Sequence, residues 1–106
     1  MLTASTIERV VQRVAAAAYA PVKIILFGSY ARGDADEGSD LDLTVVEKDI
    51  PDPAQEYLRL HSAVGHLGVG VDVLIFTERE FNKRRDWWST PVFSAVREGK
   101  VMYDRT

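Results

Sequence analysis

The chain contains no cysteine. That excludes disulfides, thiolate chemistry and zinc sites built on sulfur, and it agrees with the cytoplasm as the expected location. Apolar runs are short: none approaches the roughly 20 residues that span a bilayer. The opening MLTASTIERVVQRV lacks a basic segment followed by an apolar one, so no signal peptide is expected. Bulk positive charge is missing as well. With 13 basic and 16 acidic residues, the net charge of -3 argues against general nucleic-acid binding. Internal repeats and low-complexity segments are absent, and 106 residues suit one domain, 1–106.

What is present is patterned. Ile7, Val10, Val11, Val14 and Ala18 recur at helical spacing and predict a helix over about 4–19, with Ser5 and Glu8 as a capping box and Pro21 as its stop. Val22–Phe27 and Leu41–Val46 read as strands, the second with Leu41, Leu43 and Val45 on one face and Asp40, Asp42 and Thr44 on the other. Asp52 and Pro53 open a helix over about 53–67, whose stripe is Tyr57, Leu60, Val64 and Leu67, and Gly65 and Gly68 weaken its end. Val69–Phe76 predicts a third strand. Thr77 and Glu80 cap a helix reaching Trp87, Thr90-Pro91 opens another that Gly99 ends, and Val101–Tyr103 can pair at a sheet edge. The expected fold is α/β (α+β), a small mixed β-sheet flanked by helices, with a parallel or mixed relation across the helical crossover between the second and third strands.

Charge gathers in GSYARGDADEGSDLDL, residues 28–43. Three readings compete. A solvated turn needs nothing more than its Gly, Asp and Ser residues. A calcium loop of the EF-hand type fails on spacing: from Asp34 its sixth position is Ser39, and from Asp36 it is Leu41, where glycine is required. The third reading is a site for metal and phosphate. Asp40 and Asp42, two apart on a strand, share a face, and their mutual repulsion is relieved by a hard cation such as Mg²⁺. Asp72 interrupts the apolar run VGVDVLIF, a costly place for a buried charge unless it is paired or bound to a metal. If its strand lies beside the second, it completes a three-carboxylate cluster; otherwise it is exposed at the strand's start or paired with an arginine. Gly28 and Ser29 offer backbone and hydroxyl donors to an anion, the more so if Ser29 opens a short helix.

Gly28-Ser29, ten residues, then Asp40-Leu41-Asp42 resembles the signature of the DNA polymerase beta-like nucleotidyltransferase superfamily. The fuller run, the short length and the GKVMYD ending resemble its minimal nucleotidyltransferase branch, including the antitoxins of HEPN/MNT pairs. The resemblance implies that Asp40, Asp42 and Asp72 hold two Mg²⁺ ions and that Gly28 and Ser29 hold the triphosphate of ATP. It implies transfer of a nucleoside monophosphate, AMP, to a hydroxyl, with Asp72 activating the acceptor. The implied partner is a HEPN-domain ribonuclease toxin carrying an acceptor tyrosine. Two alternatives stand beside it: an antitoxin that neutralises its partner by contact alone, and a nucleotidyltransferase acting on a small molecule.

Arg32 can touch phosphate or neutralise the acidic loop. Asp34, Asp36 and Glu37 are read as loop residues. Arg79, Lys83, Arg84 and Arg85 form a basic helix end, either a solvated face or a contact for triphosphate or an acidic partner. Of adjacent Trp87 and Trp88, one is expected in the core and the other at a partner surface. His61 and His66, five apart, do not share a helical face and are read as packing or surface residues.

Overall fold

The computed structural model describes residues 1–84 and 98–105. The elements are α1 (Ala4–Ala17), β1 (Pro21–Phe27), α2 (Ser29–Arg32), β2 (Leu41–Glu47), α3 (Pro53–Val64), β3 (Val71–Thr77), α4 (Glu78–Arg84) and β4 (Lys100–Asp104). The strands form one sheet in the order β3-β2-β1-β4. β1 is antiparallel to both β2 and β4, and β2 is parallel to β3. The expected mixed sheet is therefore observed, and of the parallel or mixed relation expected across the crossover the parallel one is found. So is the pairing of Val101–Tyr103, which lie within β4 at the sheet's edge. The helix expected from Thr90-Pro91, with Arg85, Trp87 and Trp88, lies outside the described residues.

Alternation along the strands sends side chains to two clusters. On one face Ile24, Leu26, Leu41, Leu43, Val45 and Val73 meet Ile7, Val10, Val11 and Val14 of α1 and Leu60 and Val64 of α3. On the other, Ile25, Val46 and Phe76 meet Phe81 of α4. Each such side chain contributes about 1.5–3 kcal/mol on burial. This clamps β2 between two apolar layers, and both Asp40 and Asp42 stand at its N-terminal end.

Helix boundaries depend on hydrogen-bonding groups as well as periodicity. The N-cap of α1 is Thr3 rather than Ser5: its side chain accepts from Thr6 N at 3.1 Å, and its carbonyl accepts from Ile7 N at 3.0 Å. The helix stops at Ala17, short of the expected residue 19, because the next backbone donors are taken elsewhere. Tyr19 N donates to Glu56 Oε2 and Ala20 N to Glu47 Oε1, each at 2.9 Å. In α3 the cap is as expected, with Asp52 Oδ1 accepting from Gln55 N at 3.2 Å. Tyr57, however, is not part of the buried stripe: it is 46% exposed, and Glu56, 2% exposed, takes the inward position. The helix ends at Val64 before Gly65, whose φ of 74° suits glycine. The Thr77–Glu80 capping box forms in both directions: Thr77 N donates to Glu80 Oε1 and Glu80 N to Thr77 Oγ1, both at 3.1 Å. The bond from the Thr77 backbone holds the Glu80 carboxyl below the ordinary range.

The far end of β2 carries a buried carboxyl pair. Glu47 is fully buried, and Glu56 is ion-paired to Arg59. Burial first, then a side-chain hydrogen bond with Glu56, raises the Glu47 carboxyl from 4.5 to about 7. Among the described residues Glu47 Oε2 has no donor, so its hydrogen bond with Glu56 requires that Glu47 keep its own proton.

Candidate functional site

β1 ends in an apolar run whose last residue, Phe27, pairs with Asp42 of β2. The next residue, Gly28, takes φ 74° and ψ -156°, a combination that turns the chain sharply into α2 and excludes side chains. Its carbonyl accepts from Ala31 N and Arg32 N, each at 3.1 Å, so Ser29 does open a short helix. A second constraint acts at the same place. A Cβ on residue 28 would lie 2.4 Å from Asp42 Oδ2, so glycine is what permits this carboxylate to lie against the turn.

The loop that follows is closed by its own acids. Asp36 Oδ1 accepts from Gly38 N at 2.9 Å, and Ser39 Oγ accepts from Asp36 N at 2.9 Å, an Asx-type turn. Asp34 pairs with Arg32 at 3.3 Å. This matches the expectation that Asp34 and Asp36 are loop residues. Arg32 also reaches Glu98 at 3.6 Å. Of its two expected roles, the structure shows neutralisation of the acidic loop, and its charge also partly offsets the rise in Asp42's pKa.

The parallel ladder sets Asp42 directly opposite Asp72. Asp42 is half-buried and its carboxyl is raised from 3.8 to about 6. Burial is the main cause, followed by a hydrogen bond with Asp72 and the charges of Asp72 and Asp40. Asp40 stands just before β2 and is exposed, its carboxylate lying over Gly70 at the approach to β3. All three carboxylates thus gather at one end of the β2–β3 ladder, beside the Gly28-Ser29 turn. Asp72 is exposed near the start of β3 rather than buried as a charge in an apolar interior, and strand register brings it to Asp42.

Among the described residues, no group of three or more His, Asp or Glu side chains stands as a ready metal cage. The donor set nevertheless fits magnesium, which is usually held by one or two carboxylates together with substrate phosphates rather than by an all-protein cage. Asp42 and Asp72 offer oxygen donors in register, and the raised Asp42 carboxyl marks the burial and charge repulsion that a divalent ion would offset.

Other expected residues fall elsewhere. His61 packs against Tyr57 with ring centroids 4.5 Å apart and the rings tilted by 43°, in keeping with a packing role, and His66 is exposed. Arg79 and Lys83 are exposed, while Arg84 lies over the Phe76 ring at 5.8 Å. Sequence reasoning missed two features of the site. Gly70 underlies Asp40, and the Thr44 hydroxyl, on the same strand face as Asp42, is buried without a partner among the described residues. Glycine directly before Val71-Asp72 was the one visible signal of the first. Among the described residues, no helix is long and apolar enough to cross a membrane.

Residues 7–100 match the family described as nucleotidyltransferase domain. The chain is 37% identical over 83 residues to the Methanocaldococcus jannaschii protein named "Putative protein adenylyltransferase MJ0604", covering 76% of this chain and 77% of that protein. Its fold is similar to a chain in a crystal structure of a toxin–antitoxin with AMP-PNP, at a TM-score of 0.69 and 20% identity, over 99% of this chain and 76% of that one. A second similar fold occurs in the structure of a tri-AMPylated Shewanella oneidensis HEPN toxin in complex with MNT antitoxin. There the TM-score is 0.63 and the identity 18%, over 95% of this chain and 71% of that one.

Proposed function

The chain belongs to the nucleotidyltransferase domain family, and on that premise we propose that it is a magnesium-dependent protein adenylyltransferase that moves AMP from ATP to a tyrosine hydroxyl of a HEPN-type toxin, acting as its antitoxin. The observation that carries the chemistry is the register of Asp42 against Asp72, beside the Gly28 turn that Asp42 touches. The relative named a protein adenylyltransferase supports AMP as the group moved and protein as the acceptor. The folds seen in toxin–antitoxin structures support the partner.

In this reading Gly28 and Ser29 orient the triphosphate through backbone N–H groups and a hydroxyl. Asp40, Asp42 and Asp72 would hold two magnesium ions, which when bound neutralise charge on the attacking and leaving oxygens. Asp72, the more exposed of the facing pair, accepts the proton of the incoming hydroxyl. The acceptor oxygen forms a bond to the α-phosphorus, the bond from that phosphorus to the bridging oxygen breaks, and pyrophosphate leaves. Asp42 is held by β2 and Gly28, and its rigidity keeps the reacting atoms aligned. Arg32 exchanges a loop carboxylate for phosphate when nucleotide enters.

The test is incubation with labelled ATP, Mg²⁺ and the protein encoded by the neighbouring gene. Label should pass to the partner, and an Asp40→Asn/Asp42→Asn variant should lose at least a hundredfold in rate. Transfer retained by that variant would overturn the mechanism. Loss of transfer with full suppression of the partner's toxicity would leave an antitoxin that acts by contact.

A further inference from the structure

Glycines 28, 33, 65 and 68 have positive φ, which is reason enough for their identity. Gly70 does not, so its backbone conformation is open to any residue. What sets it apart is a contact. Leu41 pairs with Val71, so one step earlier Asp40 lies opposite Gly70, and Leu41 N donates to Gly70 O at 2.8 Å. A Cβ on residue 70 would lie 2.4 Å from Asp40 Oδ1, 2.9 Å from Cγ and 3.3 Å from Oδ2. By contrast, a Cβ at Gly33, Gly65 or Gly68 would meet nothing within 4 Å.

We propose that Gly70 is a positioning residue: the bare backbone at 70 is the seat on which the Asp40 carboxylate is held beside Asp42 and Asp72. This rests on the reading of Asp40 as a metal-binding carboxylate. The seat is rigid on both sides. Leu41 is fully buried and fixes the backbone next to Asp40, and the Leu41–Gly70 hydrogen bond fixes the distance between the two chains. A methyl group at 70 occupies the space of the carboxylate, which must rotate away. Asp40 and Gly70 are both exposed, so that rotation displaces no core side chain. Its effect falls on where the oxygen donors point.

The experiment uses the full chain without nucleotide as wild type, Gly70→Ala, Asp40→Ala and the double variant. Binding of Mn²⁺ alone is followed by electron paramagnetic resonance, with thermal unfolding and nucleotidyl transfer alongside. Gly70→Ala should weaken Mn²⁺ binding and slow transfer, each by about tenfold or more, the range seen when a ligand's support is removed. On the Asp40→Ala background the same substitution should cost nothing further. Any loss of thermal stability in Gly70→Ala should be restored in the double variant, because the crowded carboxylate is gone. Wild-type Mn²⁺ binding by Gly70→Ala, or a loss that adds in full on Asp40→Ala, would overturn the seat alone. Wild-type Mn²⁺ binding by Asp40→Ala would overturn the reading of Asp40 and the purpose of the seat with it.

Discussion

Replacing Glu47 by glutamine should stabilise this protein, and only above a definite pH. The wild-type side chain is fully buried, accepts from Ala20 N through Oε1, and faces Glu56 through an oxygen that has no donor among the described residues. Glu56 already accepts from Tyr19 N and pairs with Arg59. A glutamine keeps the acceptor for Ala20 and turns an amide donor toward Glu56, so no carboxyl proton need be kept. The sign follows from the pKa, raised from 4.5 to about 7 in the folded chain. Below 4.5 Glu47 is protonated whether folded or unfolded, and its contribution is at its fullest. Between 4.5 and about 7 the unfolded chain releases the proton while the folded chain keeps it, so stability falls as pH rises. At 1.36 kcal/mol per pH unit the loss is about 3 kcal/mol by pH 8. Urea unfolding at pH 4.5 and pH 8 measures it. The difference between wild type and Glu47→Gln should be small at the lower pH and favour the variant by about 3 kcal/mol at the higher. Equal pH dependence in the two proteins would show that burial beside Glu56 does not raise the Glu47 carboxyl.

The same sign applies at the candidate site. Metal-free Asp42→Asn should be more stable than wild type at pH 8, by about 1 kcal/mol after allowing for solvent screening, while losing transfer activity; a destabilised variant would show that burial and the facing carboxylates do not raise this carboxyl. At the N-terminus, Thr3→Ala should cost about 1 kcal/mol and Ser5→Ala almost nothing, since Thr3 supplies the cap. Thermal unfolding of the two variants separates the assignments, and the reverse order would restore Ser5 as the cap.

Much of the fold was legible because it depends on neighbours in sequence. Apolar spacing set α1, β1 and β2, while Asp52-Pro53 and the Thr77–Glu80 pair marked two helix starts. A helix between two strands favoured a parallel or mixed relation, and the parallel one formed. The GS…DLD spacing likewise pointed to one end of one strand. Tyr57 and Glu56 show where such reasoning failed. Adjacent residues on a short helix compete for one inward position, and the polar one won because a backbone donor at Tyr19 and a buried carboxyl at Glu47 awaited it.

The sequence by itself determined that Asp40 and Asp42 stand together after a glycine turn, because two residues of extended chain leave them no other arrangement. Only the tertiary structure decided that Asp72 faces Asp42, that Gly70 lies under Asp40, and that Glu47 meets Glu56. Each of those contacts joins residues brought together by strand register or helix docking. A slip of one residue along β3 would turn Asp72 to the opposite face and remove Gly70 from beneath Asp40. That register is held by packing on both faces of the sheet, a property of the whole chain and of no single stretch within it.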